Sequence, residues 1–320
     1  MRTLVTGGAG YIGSHMVHLL AEAGHDVVVV DDLSAGHADA VPKGVELVEG
    51  DVADHAIVGG VLRRRRVEAI VHFASRIQVG ESVLEPRLYY RGNLAAAIAL
   101  LESALDAGVR RFVLSSTAAV YGTPVRVPIE ETDALAPINP YGETKLAIER
   151  MLGSYATAYG LRYAALRYFN AAGANNDAGL GERHDPETHL LPIVIDAALG
   201  KRKLTVFGTD YDTPDGTCVR DYVHVVDLCA AHLTALEHLA RGGASGAFNL
   251  GTGRGASVRE VIQVVERVSG KTVPVTFGPR RAGDPPRLVA SAEKAKRELG
   301  WEAKRSLEDI VRDAWKFQAR

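Results

Sequence analysis

Three glycines, at positions 7, 10 and 13 of the run Thr6-Gly7-Gly8-Ala9-Gly10-Tyr11-Ile12-Gly13, restrict what this chain can fold into more than any other feature. The run follows a short apolar strand pattern, Thr3–Thr6, and opens a segment of helical periodicity. A strand-to-helix turn this tight needs residues without Cβ. The backbone can then approach a pyrophosphate, and the helix N-terminus can offer it free N–H groups. Glycine-rich turns are common, so the pattern alone says little. Here a strand precedes it, a helix follows, and an acid, Asp31, ends the second strand, which is the context such a motif requires.

The Asp31 carboxylate can accept hydrogen bonds from both ribose hydroxyls of an adenosine and would repel a 2′-phosphate. Asp32 beside it strengthens that exclusion, so NAD is the expected cofactor rather than NADP. Asp51 falls where a third strand ends and is a candidate for the adenine edge, with a loop-capping role as the alternative.

Beyond this unit, strand-like runs alternate with helical patterns: Asp26–Val30, Val45–Glu49, Ala69–Phe73, Arg111–Ser115 and Tyr163–Arg167. Near-continuous apolar strands separated by crossover helices predict an α/β fold, a doubly wound parallel sheet of the Rossmann type covered on both faces. Between Ala171 and Cys218 the rhythm breaks into Gly, Asn, Asp and Pro clusters around one helical stretch, Leu191–Leu199. Helical patterns return at Val226–Ala240, Ser257–Val268, Ala292–Leu299 and Leu307–Gln318. The expected division is a cofactor domain of residues 1–170 plus about 219–240, and a smaller C-terminal α/β substrate lobe of about 171–218 plus 241–320, with the active site in the cleft between them.

Composition removes several function classes. The net charge of −2 gives no global field for nucleic acid or an anionic membrane, and the basic run Arg63–Arg66 reads as a solvated helix end. Cys218 and Cys229 lie in neither a CxxC nor a Cys/His spacing, so neither a disulfide framework nor a zinc site is indicated. No basic-then-apolar leader and no membrane-length apolar run is present, so a reduced, cytoplasmic location is expected.

Tyr141 and Lys145 are four apart at the start of a helical pattern preceded by Asn139-Pro140, which puts both side chains on one helix face. A free phenol is a poor base at neutral pH, but a nearby ammonium and a positive nicotinamide ring favour the phenolate. The run Ser115-Ser116-Thr117, at the end of another strand, supplies a hydroxyl to accompany the pair.

With these residues in view the chain resembles the extended short-chain dehydrogenase/reductases, and among them the UDP-glucose 4-epimerase family, over almost its whole length. The segments that carry the resemblance are TGGAGYIGSH from Thr6, HFAS from His72, VGES from Val79, SSTAAVYG from Ser115, PYGETK from Pro140, LRYFNAAGA from Leu166, DGTCVRDYVHVVDL from Asp215 and FNLGTG from Phe248. The resemblance implies oxidation of a sugar C4 by NAD and return of the hydride to the other face of a 4-keto sugar. It makes Tyr141 the base and later the acid at O4. Lys145 would hold the cofactor ribose and depress the tyrosine pKa, and Thr117 would hydrogen-bond O4. It places the cofactor against Gly7, Gly10, Tyr11, Ile12, Gly13, Asp31, Asp32, Leu33, Asp51, Val52, Phe73, Ala74, Asn93, Tyr141, Lys145 and Tyr168. It places a UDP-sugar substrate against Thr117, Asn170, Leu190, Phe207, Arg220, Arg281, Asp284 and Leu288. Guanidinium forks suit a pyrophosphate and an aromatic can cover uracil, which supports the arginines and Phe207 on chemistry alone.

Two positions depart from the family pattern. Ile77 stands where many members carry a lysine near the cofactor, with Arg76 adjacent as a substitute. Leu288 stands where sugar-restricted members have a tyrosine, leaving room for a 2-acetamido group, so UDP-N-acetylhexosamines join UDP-glucose and UDP-galactose as expected substrates. A dehydratase or decarboxylase is the nearest rival. Dehydratases need an acid pair just after the catalytic hydroxyl, and Ala118 and Ala119 occupy those places. A non-catalytic NAD-binding sensor would not be expected to keep Thr117, Tyr141 and Lys145 together. Metal-dependent catalysis by His184, Asp185 and His189 lacks a helical ligand spacing; solvated loop histidines are the preferred reading, and no metal is expected. Family members usually pair through two helices each, and Leu94–Ala107 and Thr144–Tyr159 have apolar faces suited to a homodimer.

Overall fold

The computed structural model describes residues 1–281 and 284–320. Its first half is a run of βα units: β1 (Arg2–Thr6), α1 (Tyr11–Glu22), β2 (Asp26–Asp31), β3 (Glu46–Glu49), α2 (His55–Arg65), β4 (Ala69–His72), then β5 (Arg111–Ser115) and β6 (Arg162–Arg167). A seventh strand, Gly246–Asn249, arrives from far downstream. The sheet order is Gly246–Asn249, β6, β5, β4, β1, β2, β3, and every pairing is parallel.

Alternation along the strands gives each face its own core. Val5, Val27, Val29, Val71 and Val113 face α1 and the helix Val225–Ala240. Leu4, Val28, Val30, Ile70, Phe112 and Leu114 face α2 and the helices Ala96–Asp106 and Pro140–Tyr159. The strands are apolar on both faces because both faces are covered, which is what their unbroken β-branched runs require. The Arg63–Arg66 run closes α2, with Arg66 in the left-handed conformation and Arg65 paired to Asp26 and Glu46.

A second core gathers Leu191, Val194, Ile195, Val206, Val261, Val265, Ile310 and Val311 from the helices Leu190–Ala198, Val258–Ser269 and Leu307–Gln318. Small sheets edge it: Leu204–Phe207 with Val275–Gly278, and Val219–Arg220 between Ala256–Ser257 and Arg287–Leu288. The strand Leu204–Phe207 lies in a stretch that reads as loop, since four residues between Gly- and Pro-rich segments leave no periodicity to detect. Two other segments sit differently from the division expected from sequence. Gly246–Asn249 completes the main sheet, and Ala295, Leu299 and Trp301 pack in its core rather than in the second one. The Trp301 indole N–H donates to the Asp227 carbonyl at 2.8 Å and holds that return.

Candidate active site

The C-terminal ends of β1, β2, β4, β5 and β6 come out along one edge of the sheet, so every loop that follows them faces the same crevice. The turn after β1 is the tightest. Gly7 has φ +70°, and a Cβ there would lie 2.5 Å from the Ala74 nitrogen. A Cβ on Gly13 would fall 2.0 Å from the Gly7 oxygen, whereas one on Gly10 would come no closer than 3.3 Å to that same oxygen. Gly10 caps α1 without a side chain, leaving the helix's first N–H groups to a ligand. This cradle fits the NAD pyrophosphate.

Asp31 ends β2, nearly fully buried, and accepts the Ala9 and Leu33 amides at 2.9 Å each. Burial pushes its carboxyl upward, and those two N–H groups oppose the shift. Each oxygen keeps a second lone pair for a ribose hydroxyl. Leu33 carries φ +56° in the turn that follows, and the exposed Asp32 binds the Ser34 amide and hydroxyl. Asp51 accepts the Ala53 amide at 2.8 Å beside the buried Val52, so the loop-capping role foreseen as its alternative is present. Phe73 and Ala74 both donate their amides to the Thr6 carbonyl, which holds the β4 exit against the glycine turn. Asn93 is buried and clasps the backbone of Arg76 through both amide atoms, at 2.8 and 3.1 Å. It shapes the loop before the exposed Ile77; the Arg76 guanidinium turns to Glu81 at 3.8 Å. Ile12 and Tyr11, both partly buried, pack against the core on the α1 face of the sheet.

Thr117 leaves β5 and caps a short helical turn, Ala118–Tyr121, by accepting the Ala119 amide at 3.1 Å. Asn139 caps the helix Pro140–Tyr159 through the Gly142 amide, which fixes the first turn where Tyr141 stands and puts Lys145 one turn on. Burial raises the Tyr141 phenol to about 12, with the Thr117 hydroxyl acting against it. Burial likewise drives the Lys145 ammonium down to about 7, opposed by Glu149. The Lys145 Nζ donates to the Ser115 carbonyl at 2.9 Å, and Ser115 Oγ shares a 2.6 Å hydrogen bond with the buried Tyr168 hydroxyl.

Behind this pair runs a buried chain of contacts. Glu149 receives Ser116 Oγ and the Arg167 guanidinium, Arg167 donates to the Tyr121 hydroxyl at 2.7 Å, and Tyr121 donates to Asn249 at 2.7 Å. None of these five supporting residues is given a role in the sequence reading. The signal available was the helical spacing of Tyr141, Lys145 and Glu149 at steps of four, which a buried carboxylate continues.

The substrate candidates lie across the crevice. Asn170 pairs with the strand Tyr222–His224 and donates its side-chain N–H to the Asp221 carbonyl at 3.0 Å. Leu190 starts its helix, and Phe207 ends its strand 37% exposed, with the Arg281 guanidinium 4.2 Å from the ring centre. Arg220 pairs with Asp284, which also receives the Cys218 thiol at 3.6 Å. Leu288 pairs in register with Arg220 and packs against the cluster of Ala118, Val120, Tyr121 and Leu146, immediately beside the catalytic candidates. The structure thus brings Leu288 to the catalytic turn, and sets Phe207, Arg281, Arg220 and Asp284 together as a second group.

The model of the NAD dependent epimerase/dehydratase family matches residues 3–251. A UDP-glucose 4-epimerase of Azospirillum brasilense is 53% identical over 319 residues, covering 99% of this chain and 92% of its own. The crystal structure of UDP-glucose 4-epimerase from Brucella ovis in complex with NAD is 50% identical, with a TM-score of 0.96, covering 98% of this chain and 97% of that one. The enzyme from Bifidobacterium longum in complex with NAD+ and UDP is 38% identical, with a TM-score of 0.93 over 100% of this chain and 98% of that one. Glycine cradle, Tyr-Lys helix, sheet order and full-length likeness agree, and the chain belongs to the NAD dependent epimerase/dehydratase family, among its UDP-glucose 4-epimerases.

Proposed function

We propose that this chain interconverts the C4 epimers of a UDP-hexose, UDP-glucose and UDP-galactose, with NAD as its cofactor. The observation that carries the reading is the meeting of Thr117, Tyr141 and Lys145 at the sheet edge beside the glycine cradle, with Ala118 and Ala119 where a dehydratase needs acids. When bound, NAD supplies the acceptor for the C4 hydride and later its donor. Tyr141 takes the O4 proton as the C4 centre is oxidised and returns it on reduction. Thr117 orients O4 and steadies the phenolate. Lys145, held by the Ser115 carbonyl, favours the phenolate in its protonated form and offers its remaining N–H groups to the cofactor ribose. Arg220 and Arg281 neutralise the UDP pyrophosphate, and Phe207 covers the uracil. The segment after β6 and the strand Arg287–Leu288 form the wall against which the hexose turns.

Incubation of the protein with UDP-galactose, without reductant, should yield UDP-glucose by chromatography with no lasting NADH, and Tyr141→Phe should slow it by about 10²–10⁴-fold. Absence of conversion in folded protein shown to bind NAD would refute the proposal.

Leu288 supports a second substrate class. Its modest side chain beside Ala118 and Tyr121 leaves space for a 2-acetamido group, so UDP-N-acetylglucosamine is also turned over. Leu288→Tyr should lower the ratio of acetamido to plain sugar turnover at least tenfold, and an unchanged ratio sinks this extension. Among the described residues no helix is long and apolar enough to cross a membrane. A homodimer and a cytoplasmic location complete the proposal; exposed Ile98 and Tyr159, on the helices Ala96–Asp106 and Pro140–Tyr159, support the first.

A further inference from the structure

Residues Gly181–His189 have no regular secondary structure, yet four of their side chains converge. Glu182, His184, Glu187 and His189, in the spacing Glu-x-His-x-x-Glu-x-His, bring one ligand atom each to within 4.8 Å of all the others. Both imidazoles turn Nδ1 inward. Glu182 Oε1 lies 3.0 Å from Nδ1 of His184 and 2.9 Å from Nδ1 of His189. Glu187 lies 3.0 Å from His189 Nδ1 and 3.8 Å from His184 Nδ1. The carboxylates are largely withdrawn from solvent, Glu182 7% and Glu187 12% exposed, while the His184 and His189 side chains, 20% and 38% exposed, turn toward them. Asp185, which the sequence reading grouped with the histidines, is exposed and outside the cluster.

We propose that Glu182, His184, Glu187 and His189 bind a divalent transition-metal ion, of the Zn2+ class, as a structural site. Two nitrogen and two carboxylate ligands are a donor set such ions take, and four protein ligands leave no open position for chemistry. For bonds of about 2.0 Å a tetrahedron has ligand-to-ligand edges of about 3.3 Å; the imidazole-to-carboxylate distances run from 2.9 to 3.8 Å, those of Glu187 through its two different oxygens, and all four ligand atoms lie within 4.8 Å of one another. One carboxylate oxygen facing two Nδ1 atoms is an arrangement a central cation resolves, because each group then points at the ion rather than at a shared partner. The ion would fasten an irregular segment to the cofactor cradle. The Tyr11 ring, at the first residue of α1, stands edge-on to His184 at 6.2 Å, and Arg183 ties the same segment to Asp39. The epimerisation itself needs no metal, so the site serves folding and the seating of this loop.

The test is Zn2+ titration by calorimetry into chelator-dialysed protein, with thermal unfolding of the same samples. About one Zn2+ per chain is expected, at micromolar affinity or tighter, with a rise in Tm on loading. His184→Gln and His189→Gln should each weaken binding at least tenfold and remove the Tm rise, while Asp185→Asn keeps both. Glu187→Gln gives a variant that retains the imidazoles should either histidine variant fold poorly. Failure of the wild-type chain to bind, or binding that survives both histidine substitutions, would overturn the site and leave the four residues as an ion-pair cluster.

Discussion

Burial acts on the protons of Tyr141 and Lys145 in opposite directions, raising one to about 12 and lowering the other to about 7, because both side chains resist charge where water is scarce. The lysine has a thermodynamic consequence. Its folded pKa lies below the ordinary 10.5, so between about pH 7 and 10.5 the unfolded chain binds a proton that the folded chain does not, and stability rises with pH across that window. Lys145→Met should flatten this rise, read as the pH dependence of urea unfolding. At the catalytic hydroxyls, Tyr141→Phe should cost about 10²–10⁴-fold in kcat, and Thr117→Val should move the acid limb of the rate profile to higher pH, with NAD binding intact in both. The roles of these residues are legible because their types and spacing carry the chemistry. Glu149 and Arg167 are less so. Nothing in a lone Glu or Arg announces a buried partner far away in sequence, which only the packing of β6 against the helix Pro140–Tyr159 creates.

Single elements set how much substitution the crevice tolerates. The three glycines of the first turn look equivalent in sequence, yet their surroundings differ. Gly13→Ala would place a methyl 2.0 Å from a backbone oxygen and should eliminate NAD binding, measured by calorimetry. Gly10→Ala meets nothing closer than 3.3 Å and should lose less than about tenfold in affinity, since a contact at that distance needs only a small backbone adjustment. The helix Pro140–Tyr159 anchors its middle through Glu149. Glu149→Gln leaves the buried Arg167 without its carboxylate and should destabilise the protein by about 3–5 kcal/mol in urea titration. Strands and helices with strong periodicity, such as β2 and Leu307–Gln318, are readable from sequence nearly residue for residue. Two- and four-residue strands such as Val219–Arg220 and Leu204–Phe207 are not, because they exist only through partners distant in sequence.

Across the whole molecule, the exposed apolar residues of the two helices predict self-association. Ile98→Asp combined with Tyr159→Asp should shift the mass seen by light scattering from a dimer to a monomer, with the fold retained by circular dichroism. The doubly wound class follows from strand composition, but the seat of Gly246–Asn249 does not. A four-residue strand after a long excursion carries no mark of which sheet it will join. That late strand also bears on how the protein is made. A ribosome delivers β1 to β6 first, and until Gly246–Asn249 emerges and pairs with β6, the nascent sheet displays a bare strand of apolar residues to solvent. Chains stalled or truncated before residue 246 should therefore collect on chaperones or aggregate, while the full chain should stay dispersed.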